Sequence, residues 1–163
     1  MKIEKVIVGS LKTNCYILSI DNKCLVIDPG DEYNRIKEVI GNKKVVGVIV
    51  THYHFDHIGA LNNFEENLIL DKNNLEERKY NIDSFNFEVI YTPGHKEDSI
   101  SIYFKKENIM FTGDFIFKSA IGRTDLPGGD YNEMLNSLIK IKKYDKNIKI
   151  YSGHGDITYL RLV

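Results

Sequence analysis

The sequence has no tryptophan, three prolines and two cysteines among 163 residues. It also lacks any proline-rich linker, low-complexity tract or detectable repeat, which points to one domain over residues 1–163. No apolar stretch approaches the roughly 20 residues that a membrane-spanning helix needs. The opening MKIEKVIVGS has no long apolar run of the secretion-signal kind, so a cytoplasmic location is expected. Charge of one sign is missing too: 22 basic residues face 23 acidic ones, for a net charge of −1. Such a balance supplies no positive field for nucleic acid or an anionic membrane. The expected partner is a small-molecule substrate, and no feature assigns an oligomeric state.

The two cysteines, Cys15 and Cys24, fall in apolar stretches that read as paired strands joined at Asp21–Asn22. A two-residue turn there sets Cys24 opposite Ser19 and Cys15 opposite Asp28, which keeps the thiols apart. They are expected to be buried, reduced and without a metal or disulfide role.

Extended segments are expected at residues 2–8, 14–20 and 24–28, the last ending at the breaker Pro29–Gly30. Asp31 is placed to cap a helix over 32–40, where Tyr33, Ile36 and Ile40 share a face and Gly41 suits the stop. Residues 45–50, VVGVIV, are apolar without alternation, as in a strand covered on both faces. A helical pattern then resumes through Leu61 and Phe64. Further strands are expected near 86–91, 99–104 and 108–112. A helix over about 131–143 carries an Asp130/Glu133 capping box and a buried stripe of Tyr131, Met134, Leu135, Leu138 and Ile141. The interleaving implies an α/β (α+β) architecture with helices packed outside two buried sheets.

What the chain does have is five histidines, all in short loops that follow expected strands. Three lie in His52-x-His54-x-Asp56-His57, one in Pro93-Gly94-His95 and one in Gly153-His154-Gly155. A single histidine is more often a surface or hydrogen-bonded residue than a ligand. A cluster this dense is hard to satisfy in a protein interior without a cation. In extended chain, alternate side chains share a side, so His52, His54 and Asp56 can converge while His57 turns toward a neighbouring point. Imidazole and carboxylate donors without thiolate suit Zn²⁺ and also Fe or Mn.

The strings T-H-x-H-x-D-H, G-H, T-G-D and G-H-G, in this order over nearly the whole chain, resemble the motifs of the metallo-β-lactamase superfamily. The resemblance implies a four-layer αββα sandwich with a two-metal site at the edge between the sheets. It implies that His52, His54 and His95 hold one divalent cation, that Asp56, His57 and His154 hold the other, and that Asp114 bridges them. The stretch from Gly113-Asp114 through Gly122-Arg123-Thr124-Asp125-Leu126-Pro127-Gly128-Gly129-Asp130 is similar to small glyoxalase II-like hydrolases. Arg123 and Asp125 are most economically an ion pair that fixes this loop. Asp28, Thr51, Thr92 and Thr112 are candidates for hydrogen bonds that orient the motif loops. Two departures from glyoxalase II concern the thiol half of the substrate. Nine residues follow His154 where those enzymes carry a helical region, and Tyr151–Gly155 lacks their His-Glu-Tyr run.

The resemblance implies hydrolysis of a thioester, with a 2-hydroxyacyl thioester as the family-based guess and other esters or lactones as alternatives. A metal-bridging hydroxide would attack, oriented by Asp56, which accepts its proton. An amide nitrogen needs a proton to leave and no dedicated acid stands near these motifs, whereas a thiolate with a pKa of roughly 8.5 leaves without one. The runner-up is a persulfide dioxygenase of the same fold with a single iron. An antibiotic hydrolase ranks lower, for want of an export signal.

Overall fold

A computed structural model describes residues 1–163. The first sheet is built from β1 (Lys2–Val8), β2 (Thr13–Ile20), β3 (Lys23–Ile27), β4 (Lys44–Ile49) and the short β5 (Ile69–Leu70), in that spatial order. The second contains β6 (Lys79–Ile82), β7 (Phe85–Tyr91), β8 (Ile100–Phe104) and β9 (Ile109–Gly113). After a two-stranded ribbon of β10 (Ile116–Phe117) and β11 (Ala120–Ile121), this sheet is completed by β12 (Lys149–Ser152) and β13 (Thr158–Tyr159). Its order is β13-β12-β9-β8-β7-β6. Three helices, α1 (Tyr33–Ile40), α2 (Phe55–Ile58) and α3 (Tyr131–Ile141), connect the strands.

Side-chain alternation makes the layers. Tyr16 and Leu18 of β2 and Leu25 and Ile27 of β3 face the second sheet, where they meet Phe85, Ile102, Phe104 and Phe111 in the central core. Their neighbours Cys15, Ile17, Cys24 and Val26 point the other way, against Ile36 and Ile40 of α1. A third core joins Ile90, Met110 and Ile150 of the second sheet to Met134 and Ile141 of α3. Helix, sheet, sheet and helix therefore stack as the expected αββα sandwich, and β2 is buried along almost its whole length because both faces are covered. The turn at Asp21–Asn22 sets Ser19 opposite Cys24 as expected. Both cysteines are buried and free. No helix is long and apolar enough to cross a membrane.

Three local expectations give way to tertiary packing. Asp31 does not cap α1: Glu32 occupies the cap in a left-handed conformation, and the Asp31 carboxylate reaches only the Glu32 N–H. The helix expected to run through Leu61 and Phe64 stops at Ile58, and a 3-10 turn at Leu61–Asn63 follows. Here the chain turns down onto the Pro29–Gly30 loop. The Ala60 N–H donates to the Pro29 carbonyl at 2.9 Å, and a Cβ on Gly59 would collide with the Gly30 backbone. The buried stripe of α3 is narrower than expected, with Met134, Ser137 and Ile141 inside while Tyr131 and Leu135 are exposed. That face is set by the His95 loop, because the Ser137 hydroxyl donates to the Pro93 carbonyl at 2.7 Å and Gly94 lies against the Met134 backbone. Asp130 accepts from the Glu133 N–H at 2.9 Å, so the Asp130 half of the capping box forms.

Candidate metal centre

Loops at the ends of four strands meet at one edge of the sandwich. The loop after β4 carries His52, His54, Asp56 and His57, while those after β7, β9 and β12 carry His95, Asp114 and His154. Their donor atoms form three overlapping groups: His52 with His54 and His95; His52 with His57 and Asp114; and Asp56 with His57 and His154. Within each group the atoms lie within 4.8 Å of one another. All seven residues singled out in the sequence are thus brought together. The route differs in one respect. Extended alternation holds only through His54, which precedes α2 with extended backbone, and the first turn of α2 then delivers Asp56 and His57.

Four of the five imidazoles are aimed by a contact on the far nitrogen. His57 Nδ1–H donates to Asp28 Oδ2 at 2.9 Å. The same carboxylate accepts from the Thr51 N–H at 2.8 Å and the Thr51 hydroxyl at 2.7 Å. Since that hydroxyl spends its proton on Asp28, its oxygen accepts from His52 Nδ1–H at 3.1 Å. His95 Nδ1–H donates to the Arg123 carbonyl at 2.8 Å, and His154 Nδ1–H to the Leu11 carbonyl at 3.1 Å. In these four the Nε2 atom is left to face the centre, an arrangement typical of metal-bound histidine.

The donor set fits a cation on its own geometry. His52 Nε2, His57 Nε2 and Asp114 Oδ1 are buried without a hydrogen-bond partner, a costly state for polar atoms that no cation or water satisfies. His95 Nε2 faces His54 Nδ1 at 2.9 Å, and with His95 Nδ1 already donating, this is a neutral hydrogen bond from His54 Nδ1–H that a cation would replace. Without metal, protons supply positive charge at His57 and His154. Burial alone would lower His57, but the carboxylates of Asp28 and Asp114 raise it to about 10. Hydrogen bonds to Asp114 and Asp56 raise His154 to about 9. Burial would raise Asp114 and Asp56, yet His154 and His57 hold both carboxyls well below the usual range. Burial lowers His52 and His54 instead, keeping their lone pairs free.

The supporting residues fall into place unequally. Arg123 and Asp125 form the expected pair, with Nε–Oδ1 and Nη2–Oδ2 distances of 2.8 and 2.6 Å, on the exposed loop whose Arg123 carbonyl orients His95. Thr112 does not reach the motif loop; its hydroxyl donates to the Ile116 carbonyl at 3.1 Å and closes the turn that presents Asp114. Thr92 is paired with Ser101 between β7 and β8 and takes no part in the centre. The sequence reading missed Thr13, whose hydroxyl donates to Asp56 Oδ2 at 2.8 Å. It also missed Asn14, whose side-chain amide donates to the carbonyls of Ser152 and Gly155. Neither sits in a histidine-bearing string. A cleft of about 550 Å³ opens over the centre, walled by Leu11, Phe55, Lys96, Arg123, Leu126 and Pro127.

Residues 8–72 and 69–154 match the Metallo-beta-lactamase superfamily, and the chain belongs to it. Divalent metal binding by a hydrolase fold follows from that membership. The chain is 32% identical to the probable metallo-hydrolase YqgX of Bacillus subtilis, over 97% of this chain and 92% of the relative. It is 31% identical, with the same coverage, to the hydroxyacylglutathione hydrolase GloC of Haemophilus influenzae. The crystal structure of the BLEG-1 B3 metallo-beta-lactamase superposes with a TM-score of 0.92 at 27% identity, covering 99% of this chain and 95% of that one.

Proposed function

We propose that residues 1–163 act as one cytoplasmic domain that hydrolyses a thioester, with a 2-hydroxyacyl thioester as the leading substrate, at a two-cation centre. In this reading His52, His54, His95 and Asp114 hold one cation, Asp56, His57, Asp114 and His154 hold the other, and zinc is favoured over iron or manganese. The observation that carries it is the convergence of His52 Nε2, His57 Nε2 and Asp114 Oδ1, buried and without a hydrogen-bond partner, beneath an open cleft lined by His54, Asp56, His95, Asp114 and His154. When bound, such cations acidify water from a pKa of about 15.7 toward about 7 and polarise a carbonyl.

The chain's own residues supply the rest. Asp56, kept a carboxylate by His154 and Thr13, orients the attacking water, and because a carboxyl held this low is a weak base it can take the proton only from a water made more acidic than bulk. The cleft offers no free acid for a leaving amine. Lys96 Nζ is engaged by Asp98 at 3.2 Å and Glu97 at 3.5 Å, and Arg123 is paired with Asp125. An arginine does not release its proton in proteins. A thiolate leaves without one, which favours a thioester. The free, buried thiols of Cys15 and Cys24 agree with a reducing compartment, and the similarity to GloC supports the 2-hydroxyacyl class.

A second reading, β-lactam hydrolysis, is favoured by the likeness to BLEG-1. The experiment is a metal analysis of protein purified without chelator, joined to assays on a 2-hydroxyacyl glutathione thioester, a chromogenic cephalosporin and a persulfide with oxygen uptake recorded. Two metals per chain with thioester turnover as the fastest reaction is expected. Faster cephalosporin cleavage would install the second reading, and one iron with oxygen consumption would make the chain a dioxygenase.

A further inference from the structure

The start of β2 lies against the second cation position from outside every histidine motif. Thr13 is 1% exposed. Its hydroxyl donates to Asp56 Oδ2, the same oxygen that stands 3.2 Å from His154 Nε2 and 3.5 Å from His57 Nε2. Its backbone forms an isolated antiparallel bridge with His154. The residues around it grip the His154 loop as well: the Leu11 carbonyl accepts from His154 Nδ1–H, the Asn14 N–H donates to the Gly153 carbonyl at 2.7 Å, and the Tyr16 hydroxyl donates to the Ser152 carbonyl at 2.7 Å. Asp56 comes from the first sheet's loop and His154 from the second's. Thr13 touches both.

We propose that Thr13 is a positioning residue for the second cation: its hydroxyl fixes the Asp56 carboxylate while its backbone fixes His154, so that the two ligands arrive in register. A free Asp56 side chain could rotate about its χ torsions, and a carboxylate that must bind metal and orient water gains from losing that freedom before the cation arrives. One hydroxyl proton, aimed at one oxygen, selects a single rotamer. No comparable contact from this segment reaches His52, His54 or His95, so the first cation position is independent of Thr13. The inference rests on the two-cation reading.

Thr13→Val keeps the branched shape and removes the donor, Thr13→Ser keeps the donor and removes the methyl, and Thr13→Ala removes the donor without any β-branch. Zinc titrations against a competing chelator would be run on the wild type and all three. With the wild type taking up two equivalents, Thr13→Val and Thr13→Ala should weaken the second by roughly 10–100-fold and leave the first unchanged. Thr13→Ser should restore both, and thioester kcat should fall in the Val and Ala variants with little change in KM. A residue needed only for strand packing would give the reverse pattern, with Val tolerated and Ser not. Uptake of two equivalents by Thr13→Ala with wild-type affinity would overturn the inference while leaving the two-cation reading intact. Uptake of only one equivalent by the wild type would overturn both.

Discussion

His57 Nδ1 lies 2.9 Å from Asp28 Oδ2, and the two side chains are 0% and 2% exposed. Asp28 also holds Thr51, which in turn orients His52, so one buried carboxylate aims a ligand in each half of the centre. Asp28→Asn keeps the size of the side chain and its tolerance of the left-handed backbone found there, but removes the charge that fixes both rings. Metal affinity should drop by roughly 10–100-fold, read by chelator competition. Wild-type affinity in this variant would show that the rings are aimed by packing alone.

The protons that stand in for metal give a pH dependence whose sign can be worked out. His57 is raised from 6.5 to about 10 and His154 from 6.5 to about 9. In the metal-free protein their contribution to stability is therefore complete below 6.5 and is lost as the pH rises through about 9 and then about 10. Asp56 and Asp114 are lowered from 3.8, so their contribution is complete above that value and is lost on acidification below it. Metal must displace the two histidine protons and so binds more tightly as the solution becomes alkaline. The gain in melting temperature on adding zinc should grow between pH 6.5 and about 9. A flat or shrinking gain across that interval would mean that these imidazoles are neutral before metal arrives.

Gly153 immediately precedes His154, and a Cβ there would lie 2.6 Å from His57 Cε1 and strike the Asp114 carboxylate. Gly153→Ala should push a methyl group into the centre while leaving the cores between the layers untouched. Far-ultraviolet circular dichroism should match the wild type, and metal capacity should fall to one equivalent or less. Retention of two equivalents would show that the centre yields more readily than its close packing implies.

Arg123→Ala makes the opposite test. The Arg123 side chain is exposed and paired with Asp125, whereas its carbonyl holds His95. An exposed pair contributes little to stability. Melting temperature and metal content should both stay at wild-type values, and a loss of metal would mean that the ion pair sets the path of the loop carrying the carbonyl.

The ligands were legible because metal chemistry restricts residue type: histidine and aspartate, tightly spaced, at the ends of apolar strands. Thr13 was not. Its partner lies 43 positions away, and nothing about a threonine at a strand start marks it as a carboxylate donor. The apolar strands β2, β3, β4, β7, β8 and β9 were readable to within a residue or two, since burial on two faces leaves its trace in composition. Strand β6, KYNI, is short and mixes polar with apolar residues, so only its neighbours reveal it. The end of α2 is also invisible locally, because contact between Gly59 and Gly30 decides it.

The αββα sandwich is fastened differently at its centre and at its rim. Between the sheets an apolar cluster of 14 residues holds the layers together without regard to direction. At the ligand edge, four side chains hang from one sheet and three from the other, and what joins them is charge. A cation seated there works as a rivet across a hinge line. Removing it should let that rim breathe while the interior stays shut, so the fastest-exchanging amides of the stripped protein should mark the outline of its own reaction chamber.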